Sequence, residues 1–200
     1  MKPSSGAESE KLVLETPNNK ITQDWSGDGR FLLYWEQDPK TGWDLKALLL
    51  AENESSPVTV ANTPFEERHG QFSPDGRWVA YATNESGRFE VVAQPFPLAA
   101  GKWQISAGGG FAPRWRADGK ELYFIAPNGK LMAASIAPSG STLRAGAPVA
   151  LFGTRIRGGG TPEASFNAQY DVSRDGRFLI NEPSREAAAA PVTLILNWKP

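Results

Sequence analysis

The chain of 200 residues contains no cysteine and one histidine, His69. The first absence excludes a disulfide framework, a thiolate nucleophile and cysteine-bound metal. A lone imidazole leaves a zinc centre short of nitrogen and sulfur ligands, so neither metal nor cofactor is expected. Excess charge of one sign is missing too: 21 Lys and Arg face 22 Asp and Glu, for a formal net charge of −1. A nucleic-acid partner is therefore not expected, because its footprint is a basic surface. No apolar run approaches the roughly 18 residues of a membrane span. The opening MKPSSGAESEK also lacks the apolar stretch of a signal peptide. Taken as it stands, the chain is expected in the cytoplasm, or outside it if it is a piece of a membrane-anchored parent.

What the sequence has in plenty is turn formers and aromatics: 20 Gly, 16 Pro, 7 Trp and 10 Phe. That mixture favours short strands over long helices. One pattern recurs four times: WSGDGRFLLY from Trp25, FSPDGRWVAY from Phe72, WRADGKELYF from Trp115 and VSRDGRFLIN from Val172. Each copy sets a large apolar residue, two variable positions, Asp-Gly, a basic residue and a strand-like run in that order. The pairs Asp28-Gly29, Asp75-Gly76, Asp118-Gly119 and Asp175-Gly176 lie 47, 43 and 57 residues apart. A period of about 40 to 50 residues with strand patterning describes propeller blades. Asp-Gly supplies the positive φ that a tight hairpin needs.

The chain is therefore expected to be all-β, a propeller of about four four-stranded blades near residues 21–60, 68–106, 112–152 and 168–198. Residues 1–11 read as a flexible tail. The fourth unit offers Phe178–Asn181 and Val192–Trp198, joined through Ser184–Ala190, and lacks a last strand. Leu12–Glu15 (LVLE) is a candidate to close the ring from the other terminus and so cover an exposed edge. A closed four-bladed ring, an arc of a larger ring, or two chains sharing one ring all satisfy this count.

These repeats resemble the WD40-like, TolB-type β-propeller repeat. ESGRFEVVAQPFP (85–97), GKWQISAGGG (101–110) and PRWRADGKELYF (113–124) resemble, more narrowly, the propeller that follows the kinase domain in many bacterial serine/threonine kinases. YDVSRDGRFLIN (170–181) and PVTLILNW (191–198) fit the same ending, so the resemblance runs from Leu12 to Trp198. It implies a binding or scaffold module of a signalling protein, not an enzyme. The kinase signatures themselves are absent. Two other readings stay open: the propeller of a prolyl-oligopeptidase-like hydrolase without its catalytic domain, and a TolB-like periplasmic interaction protein.

No catalytic residue is assigned. Ser73, Asp75 and His69 sit close in sequence, but the Ser-x-Asp spacing belongs to the repeat and the histidine does not recur, so a turn explains them. Asp24–Gly29 opens like a calcium loop, yet its twelfth position is Trp35 rather than a bidentate Glu. Gly108–Gly110 reads as a crossover between blades and Gly158–Gly160 as an extended loop. Asn53-Glu54-Ser55 and Asn84-Glu85-Ser86 read as hairpin turns rather than glycan acceptors. Trp25, Phe72 and Trp115, at one repeat position, should pack between blades. Asp24, Gln71, Arg114 and Asp171, each one residue earlier, should line the channel beside Arg68 and His69. Their mixed charge suits a protein, a peptide or a polar small molecule. A homodimer and association with missing blades both stay open as assemblies, beside the closed ring.

Overall fold

The computed structural model describes residues 10–50, 55–97, 101–156 and 169–182, and all its regular structure is β. The first sheet runs β1 (Lys20–Trp25), β2 (Phe31–Asp38), β3 (Gly42–Leu49) and β4 (Ser56–Ala61) in sequence order. The second repeats this with β5 (Glu67–Phe72), β6 (Trp78–Thr83), β7 (Glu90–Pro95) and β8 (Trp103–Gln104). In the third, β9 (Phe111–Trp115) pairs β10 (Glu121–Ile125), which pairs the long β11 (Lys130–Ser139). Of the fourth, β14 (Tyr170–Val172) and β15 (Phe178–Ile180) are described. Every pairing is antiparallel, and the sheets are successive blades of a β-propeller. Among the described residues no helix is long and apolar enough to cross a membrane.

The Asp-Gly turns build the hairpins from local bonds. In the second blade the Ser73 hydroxyl donates to Asp75 Oδ1 at 2.6 Å and accepts from the Trp78 amide at 2.9 Å. Asp75 Oδ1 also takes the Arg77 amide at 3.1 Å, and the Gly76 amide donates to Ser73 O at 2.8 Å. Ser26 and Asp28 repeat this arrangement, and Ser173 also donates to Asp175 but takes the Arg177 amide, one residue earlier along the turn. Arg116 replaces the serine in the third blade and bridges Asp118 at 3.6 Å and Glu121 at 3.1 Å. The turn glycines Gly29, Gly76, Gly119 and Gly176 have φ between +68° and +81°, which a side chain would disfavour.

The apolar core lies between blades, not within them. Leu33, Trp35, Leu45 and Ala47 of blade 1 meet Phe72, Val79, Tyr81 and Val92 of blade 2. On its other face blade 2 offers Trp78, Ala80 and Val91 to Trp115, Leu122 and Phe124 of blade 3. A third layer joins Tyr123, Ile125 and Leu131 to Tyr170, Val172 and Phe178. Strand β6 is therefore buried at all six positions, which explains its unbroken apolar run.

Two departures from the sequence reading stand out. Strand β11 is longer than its apolar stretch suggests: its first half pairs β13 (Val149–Gly153), and its second half pairs an extra strand, β12 (Thr142–Ala145). Pro138 and Gly140 are turn formers by type, so this hairpin carries little strand signal of its own. Leu12–Glu15, proposed as a closing strand, belongs to no strand, and Leu12 is exposed. The chain just after it is strapped to blade 1 instead: the Thr16 hydroxyl donates to buried Glu36 at 2.7 Å, beside Lys46 and Lys20. Asn53-Glu54, Gly158–Gly160, Ser184–Ala190 and Val192–Trp198 lie outside the described residues, as does most of the 1–11 tail.

Trp115 is 4% exposed in the blade 2–blade 3 layer. Trp115→Ala should cost about 3–5 kcal/mol of stability. Urea denaturation checks this, and an unshifted midpoint would contradict inter-blade burial at this position.

Candidate functional site

The four inner strands β1, β5, β9 and β14 end in the same two-residue step, a polar side chain followed by an apolar one. Because successive strand side chains point to opposite faces, the apolar member turns back toward the preceding blade and the polar member turns forward. Phe72 thus enters the blade 1–blade 2 layer and Trp115 the blade 2–blade 3 layer. Trp25, in the first blade, is 46% exposed.

The polar members make a forward-running series of bonds. Asp24 Oδ2 accepts the Phe72 amide of the next blade at 2.8 Å. Gln71 Oε1 accepts the Trp115 amide of the blade after that at 2.7 Å. Arg114 cannot accept, and at the equivalent step its Nε faces Asp171 Oδ1 across 3.7 Å. Arg114 also donates to Pro113 O at 2.8 Å, and Asp171 Oδ1 takes the Val172 amide at 2.9 Å. Burial raises the Asp24 carboxyl above its ordinary range, against the lowering pull of the Phe72 and Trp25 amides. Arg114 and Asp171 act on Asp24 with opposite sign, so the three share one electrostatic neighbourhood.

Asp24, Gln71, Arg114 and Asp171 therefore hold equivalent places at the inner-strand ends, where Asp24 and Gln71 serve the blade joints. Arg68 and His69 do not join them. Each inner strand of the first three blades carries a bulge just upstream, with positive φ at His69 (55°) and Ala112 (51°). A bulge re-aims the side chains around it. His69 is 4% exposed, with its ring 5.5 Å from Trp35 and 6.0 Å from Phe111. Arg68 pairs with Glu66 and lies 5.6 Å over Phe89. Ser73 and Asp75 are occupied by their turn. Among the described residues no group of three or more His, Cys, Asp or Glu is placed to hold a metal.

Next to Arg114 and Asp171 the surface opens into a depression of about 270 Å³, also lined by Gln169, Tyr170, Leu179 and Asn181. The Tyr170 hydroxyl donates to Ala112 O at 2.8 Å and fixes the floor. Asp171, 73% exposed along its side chain, and Leu179, 79% exposed, form the rim. A cation, a carboxylate, two amides and an apolar side chain thus converge on one accessible hollow.

Sequence reasoning missed the buried carboxylates. Glu90 is 2% exposed, yet it accepts the Gly108 and Gly109 amides at 3.0 and 2.9 Å, Arg88 Nε at 2.8 Å and the Ser106 hydroxyl. Burial raises its carboxyl, but these donors outweigh burial and hold it below the ordinary carboxylate range. A Cβ on Gly109, whose φ is +100°, would lie 2.4 Å from Pro127 Cγ. The Gly108–Gly110 run is thus a carboxylate-bound crossover. An acidic residue opening the apolar run Val91-Val92-Ala93 was the available signal.

Two stability outcomes follow. Gln71→Ala leaves the Trp115 amide without its acceptor and should cost about 1–3 kcal/mol in urea denaturation. A surface ligand residue would cost nothing there. Glu90→Gln should destabilise at pH 7 and converge with the parent in acid. The folded-state pKa of Glu90 is depressed, so its contribution is full above the unfolded pKa and is lost as pH falls through the folded value.

No protein-family model matches the chain, and no curated protein matches its sequence. Among solved structures, TolB from Acinetobacter baumannii is similar with a TM-score of 0.60 and 17% identity, over 92% of this chain and 42% of that one. A TolB from Agrobacterium tumefaciens gives 0.50 and 16%, over 68% of this chain and 52% of that one. The chain spans about half, or less, of the length of these TolB chains. At such identity the likeness is one of architecture: this chain has the fold of a TolB-like β-propeller.

Proposed function

We propose that the chain is a non-catalytic binding module that takes a peptide segment of a partner protein at the Arg114–Asp171 hollow. One observation carries this reading: the side chains shared by the repeats are used up in turns and blade joints, while unlike polar groups gather at one open depression. The Arg114 cation suits a carboxylate of the ligand, the Asn181 amide, which also donates to Gln169 Oε1 at 2.8 Å, suits its backbone, and Leu179 suits an apolar side chain. The similarity in fold to TolB supports an interaction role over a catalytic one. Membership in a larger bacterial signalling protein is supported by the likeness of residues 85–124 to propellers attached to kinases. Fold alone does not choose a ligand, so the hollow has to be tested directly.

Selection of displayed linear peptides on the purified chain provides that test. Enriched peptides should lose about tenfold or more in affinity on Arg114→Ala, or about 1.4 kcal/mol, and a smaller factor on Asp171→Asn. The thermal midpoint of Asp171→Asn should stay that of the parent. Peptides that bind both variants with undiminished affinity would place the site elsewhere and end this reading.

A further inference from the structure

The joint between blades 1 and 2 buries two carboxyl groups that propeller packing does not require. Glu67, the first residue of β5, is 1% exposed, and Asp44 of β3 is 0% exposed. Asp44 Oδ2 accepts the Thr41 hydroxyl at 3.0 Å and the Asn62 amide at 2.8 Å, while its Oδ1 has no hydrogen-bond donor. Glu67 Oε1 accepts the Thr63 hydroxyl, and its Oε2 likewise has no donor. Two full negative charges are costly in so dry a place with part of their acceptor capacity unmet.

The surrounding charges do not relieve Glu67. Asp44 acts on it from β3 with the same sign. Lys102, ahead of β8, acts with opposite sign but is already paired to Glu85 in the β6–β7 turn. Tyr81 of β6 feels the Glu67 charge, and Glu36 and Lys46 bear on Asp44 from β2 and β3. Within β5 itself, Arg68 pairs with Glu66. Among the described residues no cation forms an ion pair with Glu67. This contrasts with Glu90, equally buried but surrounded by four donors.

We propose that Glu67 is a proton-controlled lock on the blade 1–blade 2 joint: neutral in the closed joint, and on releasing its proton to water an uncompensated buried anion that loosens it. Burial first, then the Asp44 charge, pushes this carboxyl up to about 7 against the lowering pull of Thr63. The folded-state value stands above the unfolded one, so the native state holds the extra proton. The contribution is full below the ordinary carboxylate range and is lost as pH rises toward and through about 7. The same joint carries the Asp24–Phe72 bond and the Phe31–Phe96–Phe72 ring cluster, with centroids 4.8 and 5.0 Å apart. Loosening there frees blade 1 as a unit while the blade 2–blade 3 layer stays packed.

The test compares the parent with Glu67→Gln, which keeps the shape and removes the titration. Between pH 5 and pH 8 the folding equilibrium constant of the parent should fall by about tenfold or more relative to that of the variant. Over the same range, amide-exchange protection in β2, β3 and β5, corrected for intrinsic rates, should fall while that in β10 and β11 holds. Parallel pH profiles for the two proteins would overturn the proposal. So would a variant less stable than the parent at pH 8, because the charged carboxylate would then be the favoured form, as for a bound cation. If the variant fails to fold, the exchange data on the parent decide: pH-independent protection across the joint refutes the lock.

Discussion

A four-stranded sheet that is apolar on both faces has to be covered on both, and this requirement governs the rest of the molecule. Strand β6, buried from Trp78 to Thr83, cannot be shielded by its own blade. It needs Leu33 and Trp35 on one side and Trp115 and Leu122 on the other. Burying each such side chain contributes about 1.5–3 kcal/mol, so most of the favourable term is held between repeats rather than inside them. The polar inner-strand bonds then fix how neighbouring blades are set, because Asp24 and Gln71 find their backbone donors only when the next blade is in register.

Two glutamates in blade 2 show how one side chain takes opposite roles two strands apart in a single sheet. Glu90 and Glu67 lie in one cross-strand row, each paired to Thr83, and both are almost wholly buried. Around Glu90 the chain supplies two glycine amides, a guanidinium and a hydroxyl, so ionisation is favoured despite burial. Around Glu67 it supplies one hydroxyl and another carboxylate, so ionisation is opposed. Burial is common to both; the count of donors separates them.

The hairpins were legible in the sequence because Asp-Gly states its own conformation and the serine two residues before it completes a closed set of local bonds. The layered core was legible for a similar reason at Phe72 and Trp115, which mark one repeat position and are buried between blades, whereas Trp25 at the same position of blade 1 is half exposed. What escaped was anything that depends on a neighbour in space. The polar side chains at 24, 71 and 114 read as channel lining, but two of them spend an oxygen on a backbone amide more than forty residues away. His69 read as a residue beside the channel, whereas the bulge turns it into the packing between Trp35 and Phe111. The β11–β12 hairpin escaped because Pro138 and Gly140 look like loop, although an edge extension tolerates both.

The forward-running bonds also give the repeat array a grammar. Blades 1 and 2 each present an acceptor to the unit ahead, and blades 2 and 3 meet it with a backbone amide, which every residue but proline possesses. Such units can be duplicated or exchanged without new chemistry at the seam. The third seam is written differently. Arg114 has no lone pair to offer, so in place of a backbone bond it faces the exposed carboxylate of Asp171 in the following blade across 3.7 Å. The seam that breaks the pattern of the array is also the place where its surface opens to receive something else.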